Sequence, residues 1–368
     1  MKFIVDKIKL QEAISNTQKA ITGKSAMPVL QGICITATKS EITLVGSDLD
    51  LTIEARISAD IFEEGRIVID ARLFGEIIKK MPNASIEIET IDDKSIYIKC
   101  LKSTATLVYM DPENYPSIPH INEDVVLTVQ QDIIKHMIRG TIFAAAQDET
   151  RPILTGILFE VEEGKLNLVA LDGYRVAIRR QLIDCNHNIS AVIPSKTLSE
   201  VSKILEDSDK AVNITFTDNH ILFNLGNTKV ISRLLEGEFM KYSSIIPSEY
   251  NLKVIANRSD VLNAVERASL MGKEGNTNLI KLDIADDNLI ISSNSQLGKA
   301  REEVSIILQG ESLKIAFNAK YLIDIFKIIE AEEVVMEFNS SISPCVVKNK
   351  EDENECTYLL LPVRLVQN

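Results

Sequence analysis

Apolar and polar positions along the chain fall into one recurring layout. The run Val192 to Leu205, VIPSKTLSEVSKIL, reads as a short apolar strand, a stop, and an amphipathic helix whose face is Leu198, Val201, Ile204 and Leu205. The runs VIDARLFGEIIKKM at 68–81 and AFNAKYLIDIFKII at 316–329 have the same layout, and the three copies start 124 residues apart. A period this long is that of a domain, not of a solenoid unit. The pattern therefore predicts three tandem versions of one domain in 368 residues.

The first domain is expected over 1–120. Phe3-Ile4-Val5 predicts a strand, Asp6 a cap, and Ile8, Leu10, Ala13, Ile14 and Thr17 a helix face that Gly23 ends. Strands are expected at Gly32–Ala37, Ile42–Val45 and Leu51–Ile57. Asp70 is placed to cap the helix of the 68–81 copy, and Pro82-Asn83 stops it. Strands about Ile86/Ile88 and Ile96/Ile98 close the domain. Its two halves resemble each other at a step of 64, each reading βαβββ. The second domain is expected over 125–246, after a proline-rich boundary from Pro112 to Pro119, and the third over 249–368. Pro152-Ile153-Leu154-Thr155-Gly156 matches Pro28-Val29-Leu30-Gln31-Gly32 at the 124 step. An acidic turn, Lys350 to Glu355, enlarges the last hairpin, and the chain closes on the apolar run Tyr358 to Leu365. The class is α+β.

Composition narrows the chemistry. With no Trp and 5% aromatic residues, the cores must be aliphatic. Cys34, Cys100, Cys185, Cys345 and Cys356 are scattered without CxxC spacing, which argues against a disulfide framework or a metal site and for a reducing cytoplasm. The charged start MKFIVDKIKL breaks any signal-peptide core, and no run reaches the length of a membrane helix. Gly23-Lys24-Ser25 lacks the upstream glycine of a phosphate loop, since Gln18 stands there. His120, His136, His187 and His220 share no ligand spacing, with His136 on a solvated helix face. Asp48 and Asp50 alternate as if on one strand face, and paired carboxylates can hold magnesium, though a solvated strand end is the plainer reading. Asp148-Glu149 carries the same reading. No nucleophile setting, no metal site and no cofactor emerge, and three similar domains without a chemical motif favour an architectural role. An enzyme using Asp48, Asp50 or Asp172 across domains is one alternative, and an acidic scaffold that binds only proteins is another.

Charge distribution adds a second hint. The chain carries −13, yet the predicted helices lean positive, as with Lys196 and Lys203 against Glu200 or Arg72, Lys79 and Lys80 against Glu76. Sheets outside and helices inside would make a particle acidic outside and basic within, facing phosphates without reading bases. Twelve helices from two chains, at interaxial spacings of roughly 8–10 Å, make a circle about 30–38 Å across. Subtracting one helix diameter leaves about 20–28 Å, the width of a nucleic acid duplex.

The whole chain resembles the bacterial sliding clamp family, the beta subunit of DNA polymerase III. The resemblance rests on MKFIV, Ala71-Arg72, Arg151 with Leu154-Thr155-Gly156-Ile157-Leu158-Phe159-Glu160, Asp172-Gly173-Tyr174-Arg175 and the terminal Leu361-Pro362-Val363-Arg364-Leu365. It implies a head-to-tail homodimeric ring around double-stranded DNA, without catalysis or cofactor. It also implies partners: the replicative polymerase alpha subunit, a clamp-loader ATPase, and other polymerases and repair proteins that dock through short linear peptides. The implied peptide pocket comprises Leu154, Leu171, Gly173, Tyr174, Arg175, Val176, Met240, Ile245, Asn318, Tyr321, Ile342, Pro344, Leu359, Leu360, Leu361, Pro362, Val363, Arg364 and Leu365, with Arg175 and Arg364 as donors at its edge. DNA-facing residues are expected at Lys24, Arg72, Lys79, Arg151, Ile153 and Lys196. Pro152 and Ile153 stand where relatives carry aromatics, Tyr174 where a His is common, Met240 where a Pro occurs and Ser244 where an Arg occurs.

Overall fold

The computed structural model describes residues 1–23, 27–91, 94–119, 121, 125–148, 150–274 and 278–364. Six helices are described: α1 Lys7–Thr17, α2 Ala71–Lys80, α3 Gln131–Ile142, α4 Ser195–Ile204, α5 Arg258–Glu274 and α6 Ala319–Ile328. α2, α4 and α6 begin 124 residues apart, as the repeat predicts. The predicted caps form: Asp6 accepts from the N–H groups of Ile8 and Lys9, and Asp70 from Leu73; Asn318, not predicted as a cap, accepts from Lys320. Around each helix the order is strand, helix, three strands, occurring twice per copy with a short extra strand in the first and third.

The chain divides into two compact units, residues 1–134 with 196–234, and 135–195 with 235–368. The first holds one antiparallel sheet. Its order is Val125–Gln130, Ala211–Phe216, His220–Asn224, Thr228–Arg233, Leu51–Ser58, Glu41–Ser47, Gly32–Thr38, Gly65–Asp70, Ser103–Met110, Ser95–Cys100, Ile86–Ile91, Lys2–Val5 and Asp60–Glu63. Strands from two copies of the repeat meet in it where Val230 pairs with Ile53. α1 and α2 pack on each other, and with Phe3, Leu10, Ile14, Phe74 and Ile78 they close an aliphatic core over the sheet.

The second unit holds two sheets. One runs Ile189–Pro194, Gly156–Glu162, Lys165–Leu171, Arg175–Leu182, Cys356–Leu360, Cys345–Asn349, Glu333–Phe338, Leu252–Asn257 and Ile307–Gln309. The other runs Gly298–Ser305, Asn288–Ser295, Leu279–Ala285 and Leu313–Asn318, with α5 packed on its face and on α6. Among the described residues no helix is long and apolar enough to cross a membrane.

Three details depart from the sequence pattern. α1 stops at Thr17, not near Gly23, and a 3-10 turn follows over Gln18–Ala20. Thr17 bonds back to the carbonyls of Ala13 and Ile14 while its own carbonyl presses on Gly46, where a Cβ would sit 2.2 Å from that oxygen. Pro28–Gln31 and Pro152–Thr155 are 3-10 turns leading into strands, since each proline fixes φ and supplies no N–H. The strand Ser103–Met110 was missing from the pattern because Leu107, Val108, Tyr109 and Met110 run on without alternation and Val108 faces solvent.

Candidate partner-peptide and nucleic-acid sites

The strand Arg175–Leu182 pairs with the terminal strand Cys356–Leu360, placing Val176 opposite Leu359 and Arg175 opposite Leu360. Cys345–Asn349 then sets Val346 opposite Leu359. Because side chains alternate across a strand, Val176, Leu359 and Val346 share one face. They join Leu154, Leu158, Val169, Leu171, Ile178 and Val192 in a buried apolar floor, with Ile153, Leu235, Phe239, Tyr242 and Ile246 packed against it. Leu360 has the opposite parity and is fully buried, so it belongs to the core and not to an open pocket.

The rim is exposed and apolar. Tyr174, Met240, Ile245, Ile342, Leu361 and Val363 all present large apolar surface, Tyr174 being 62% exposed. Pro344, Pro362, Asn318 and Tyr321 are half-buried, and Gly173 and Arg364 are exposed. Gly173 has φ +91° at the tip of the turn, a conformation that favours glycine. Asp172 closes that turn, its Oδ1 accepting from the N–H of Tyr174 at 2.9 Å and of Arg175 at 3.1 Å. The terminal segment is strapped down: Leu361 N–H donates to the Tyr174 carbonyl at 2.9 Å and Val363 N–H to the Ala316 carbonyl at 2.8 Å. Leu365 lies outside the described residues.

Arg175 does not stand at the edge as expected. It is 7% exposed. Its Nε donates to Asp172 Oδ2 at 3.0 Å, Nη1 to Asp324 Oδ2 at 2.6 Å, and Nη2 to the Phe143 carbonyl at 2.5 Å. The guanidinium lies 4.3 Å from the ring centroid of Tyr321 and 5.3 Å from that of Phe143. Tyr174 stacks on Tyr321 with centroids 6.4 Å apart and 29° between planes. Burial, with Asp172 nearby, holds the Tyr321 hydroxyl above the ordinary phenol range, and Arg175 opposes that rise. Arg175 thus orients an aromatic pair from below. Asp324 and Phe143 were missed in the sequence. The signal for Asp324 was an acid set between Ile323 and Ile325 in an apolar helix, whereas Phe143 contributes a backbone carbonyl that no sequence motif marks.

A second latch holds the segment that carries Met240 and Ile245. Tyr242 donates its hydroxyl to Glu160, which also accepts from Asn167 Nδ2 at 3.2 Å. Burial, then Glu160, push the Tyr242 hydroxyl far above its usual value.

The expected DNA-facing residues separate into groups. Ala71, Phe74 and Ile78 of α2 are buried, so helical spacing leaves Arg72 and Lys79 on the exposed face, and among the described residues neither meets an acid in an ion pair. Arg151 is exposed, but Ile153 packs on the apolar floor. Lys196 is exposed and donates to Asp48 Oδ2 at 2.9 Å. Lys24 lies outside the described residues. Asp48 and Asp50 sit in a turn between strands, not on a strand face. Lys203, also on α4, is held by Glu200 at 2.7 Å. His136 is half-exposed on α3, 3.5 Å from Glu355 and 3.7 Å from Glu330. Among the described residues no group of three or more His, Cys, Asp or Glu could hold a metal ion.

Comparison with known proteins accounts for nearly the full length. Family models of the DNA polymerase III beta subunit match as an N-terminal domain at 1–119, a central domain at 128–241 and a C-terminal domain at 243–364. The Beta sliding clamp of Bacillus subtilis is 36% identical over 377 residues, covering 99% of this chain and 100% of its own. That of Staphylococcus aureus is 36% identical over 375 residues, with 99% of each covered. The solved structure of the DNA polymerase sliding clamp from Bacillus subtilis superposes with a TM-score of 0.96 at 36% identity over 100% of both chains. A putative DNA polymerase III beta subunit from Eubacterium rectale gives 0.95 at 36% identity, covering 99% of each. The chain therefore belongs to the DNA polymerase III beta subunit family, the beta sliding clamps, and takes their non-catalytic role in processive replication.

Proposed function

We propose that two copies of this chain close head to tail into a ring around double-stranded DNA, and that the ring tethers partners at the Tyr174–Leu361 site. The observation that carries the tethering is a buried apolar floor on the strands that lead into a turn and a terminal segment, both hydrogen-bonded in place and carrying the exposed side chains of Tyr174, Leu361 and Val363. Large apolar side chains held exposed together on a fixed surface mark a place that a partner covers. A short linear peptide fits it: an apolar side chain seats on Leu154, Leu171, Val176 and Leu359, while its backbone runs beside Gly173 and Leu361. The replicative polymerase alpha subunit, the clamp-loader ATPase, other polymerases and repair proteins are the expected owners of such peptides. Three clamp domains at 1–120, 125–246 and 249–368, and a cytoplasmic location, go with this reading.

Ring closure has support in two strand edges. Ser103–Met110 pairs along its length with Ser95–Cys100, but its other side meets Gly65–Asp70 only at Tyr109 and Met110. Gly298–Ser305 lies at the edge of its sheet. Val108 on the first of these strands and Leu297, in the turn that leads into the second, are 73% and 78% exposed. A heterologous contact between the two edges, repeated once, closes a dimer.

The test of tethering is processive synthesis. On a primed circular template with loader and polymerase, the chain should lengthen the product made per polymerase binding event by at least tenfold. Leu361→Asp should abolish that gain while leaving the clamp on DNA. Products of equal length with and without the chain would sink the proposal. If partners are bound but DNA is never held, the acidic scaffold is the correct reading.

A further inference from the structure

The turn between strands Glu41–Ser47 and Leu51–Ser58 holds an acid that is built into place. Asp48 Oδ1 accepts from the N–H of Leu51 at 2.8 Å and of Asp50 at 3.3 Å. Its Oδ2 is left to accept from Lys196 Nζ at 2.9 Å. The acid is 12% exposed and the lysine 61%. A carboxylate anchored by its own turn therefore grips a base that reaches into solvent. The neighbouring Asp50 comes within 4.0 Å of Arg233, at the limit of an ion pair, with both side chains well exposed. Among the described residues, Arg72 and Lys79 on α2 have no acid of this kind.

We propose that Asp48 is a built-in counter-charge for Lys196, an affinity-setting residue that competes with DNA phosphate for this lysine and keeps the hold on the duplex weak enough to slide. The proposal rests on the reading of the chain as a DNA-encircling clamp. A lysine with a free ammonium gains a phosphate partner outright and releases one condensed counterion. A lysine already paired must first give up its carboxylate, so the net gain is smaller. The lysine end of the pair is exposed to water, so its grip is modest. Exposed ion pairs shift an equilibrium by about twofold to fivefold, enough to soften a contact without removing the lysine from play. In the unit that holds all three, Arg72 and Lys79 show no counter-charge among the described residues and Lys196 shows one, a combination that attracts the backbone but does not lock to it.

The experiment follows single clamps diffusing on stretched duplex after loading. Asp48→Asn keeps the Oδ1 acceptor that the turn needs and removes the charge. It should slow diffusion about twofold to fivefold at low salt, with the difference fading toward 1 M salt, where the Debye length is about 3 Å. Asp48→Ser, which also keeps an oxygen acceptor, serves if the asparagine variant folds poorly. Lys196→Ala should diffuse at least as fast as the unsubstituted chain, and adding Asp48→Asn to it should restore no drag. Asp50→Asn, which changes charge by the same amount one residue pair away, should slow diffusion much less. Unchanged or faster diffusion of Asp48→Asn, equal slowing by Asp50→Asn, or slowing that persists without Lys196 would each overturn the proposal. If the unsubstituted chain is not retained on circular DNA at all, the clamp reading itself fails, which separates the two failures.

Discussion

Arg175→Ala should abolish binding of partner peptides and lower the stability of the unit that contains it. The guanidinium joins three elements: the turn through Asp172, α6 through Asp324, and the end of α3 through the Phe143 carbonyl. Removing one member of a buried ion-paired group leaves the others desolvated and unpaired, at a cost of about 3–5 kcal/mol. Asp172 and Asp324 keep some solvent access, so the lower end of that range is expected, about 3 kcal/mol. In a unit of this size that is a fall in Tm of roughly 6–12 °C. Peptide affinity falls further, because Tyr321 loses the cation beneath its ring and Tyr174 loses its stacked partner's position. Arg175→Lys should not rescue either property, since an ammonium cannot bond in three planar directions. Calorimetry of the variant with a peptide titration reads both. Wild-type affinity and Tm in Arg175→Ala would show that the arginine is incidental.

The second large effect is expected at the strand edges. Val108→Asp and Leu297→Asp should each convert the protein from a dimer of about 82 kDa, twice the 41.0 kDa chain, to a monomer. In the single chain both side chains already face solvent, so the fold loses little. In a closed ring each carboxylate would be buried without a partner, which costs several kcal/mol per interface, and two interfaces repeat the loss. Dimer dissociation should rise by at least about a hundredfold. Sedimentation at micromolar concentration distinguishes the species. A dimer that survives both substitutions would place the interface elsewhere.

The backbone was more legible than the site. The 124-residue step in the sequence became the spacing of α2, α4 and α6, because each copy pairs a capped helix with an aliphatic strand and both signals are local. Thr17 and Gly46 show what local reading misses: α1 ends at Thr17, and its carbonyl lies in the space a side chain at Gly46 would fill. The strand Ser103–Met110 was hidden for a related reason. Its outward apolar residue, Val108, breaks the alternation that a half-buried strand should show, and that break is the mark of a surface awaiting a partner. At the candidate peptide site the family resemblance, not the pattern, supplied the segments, and the structure turns two side chains another way. Arg175 was expected as a donor at the edge, yet two carboxylates and a carbonyl draw it inside. Leu360 was grouped with its apolar neighbours, but strand parity turns it away from them. Asp48 looked like a strand-face acid, and its turn and its lysine partner appear only in three dimensions.

The central claim is that DNA is held by topology, not by tight contact. The direct measurement is retention of the loaded protein on closed circular duplex, followed by gel filtration at moderate salt before and after one restriction cut. Protein that stays with the circle and leaves within seconds of linearisation is the predicted result, with retention restored when both ends are blocked by bound proteins. Equal retention on circular and linear DNA, or none on either after loading, would contradict it.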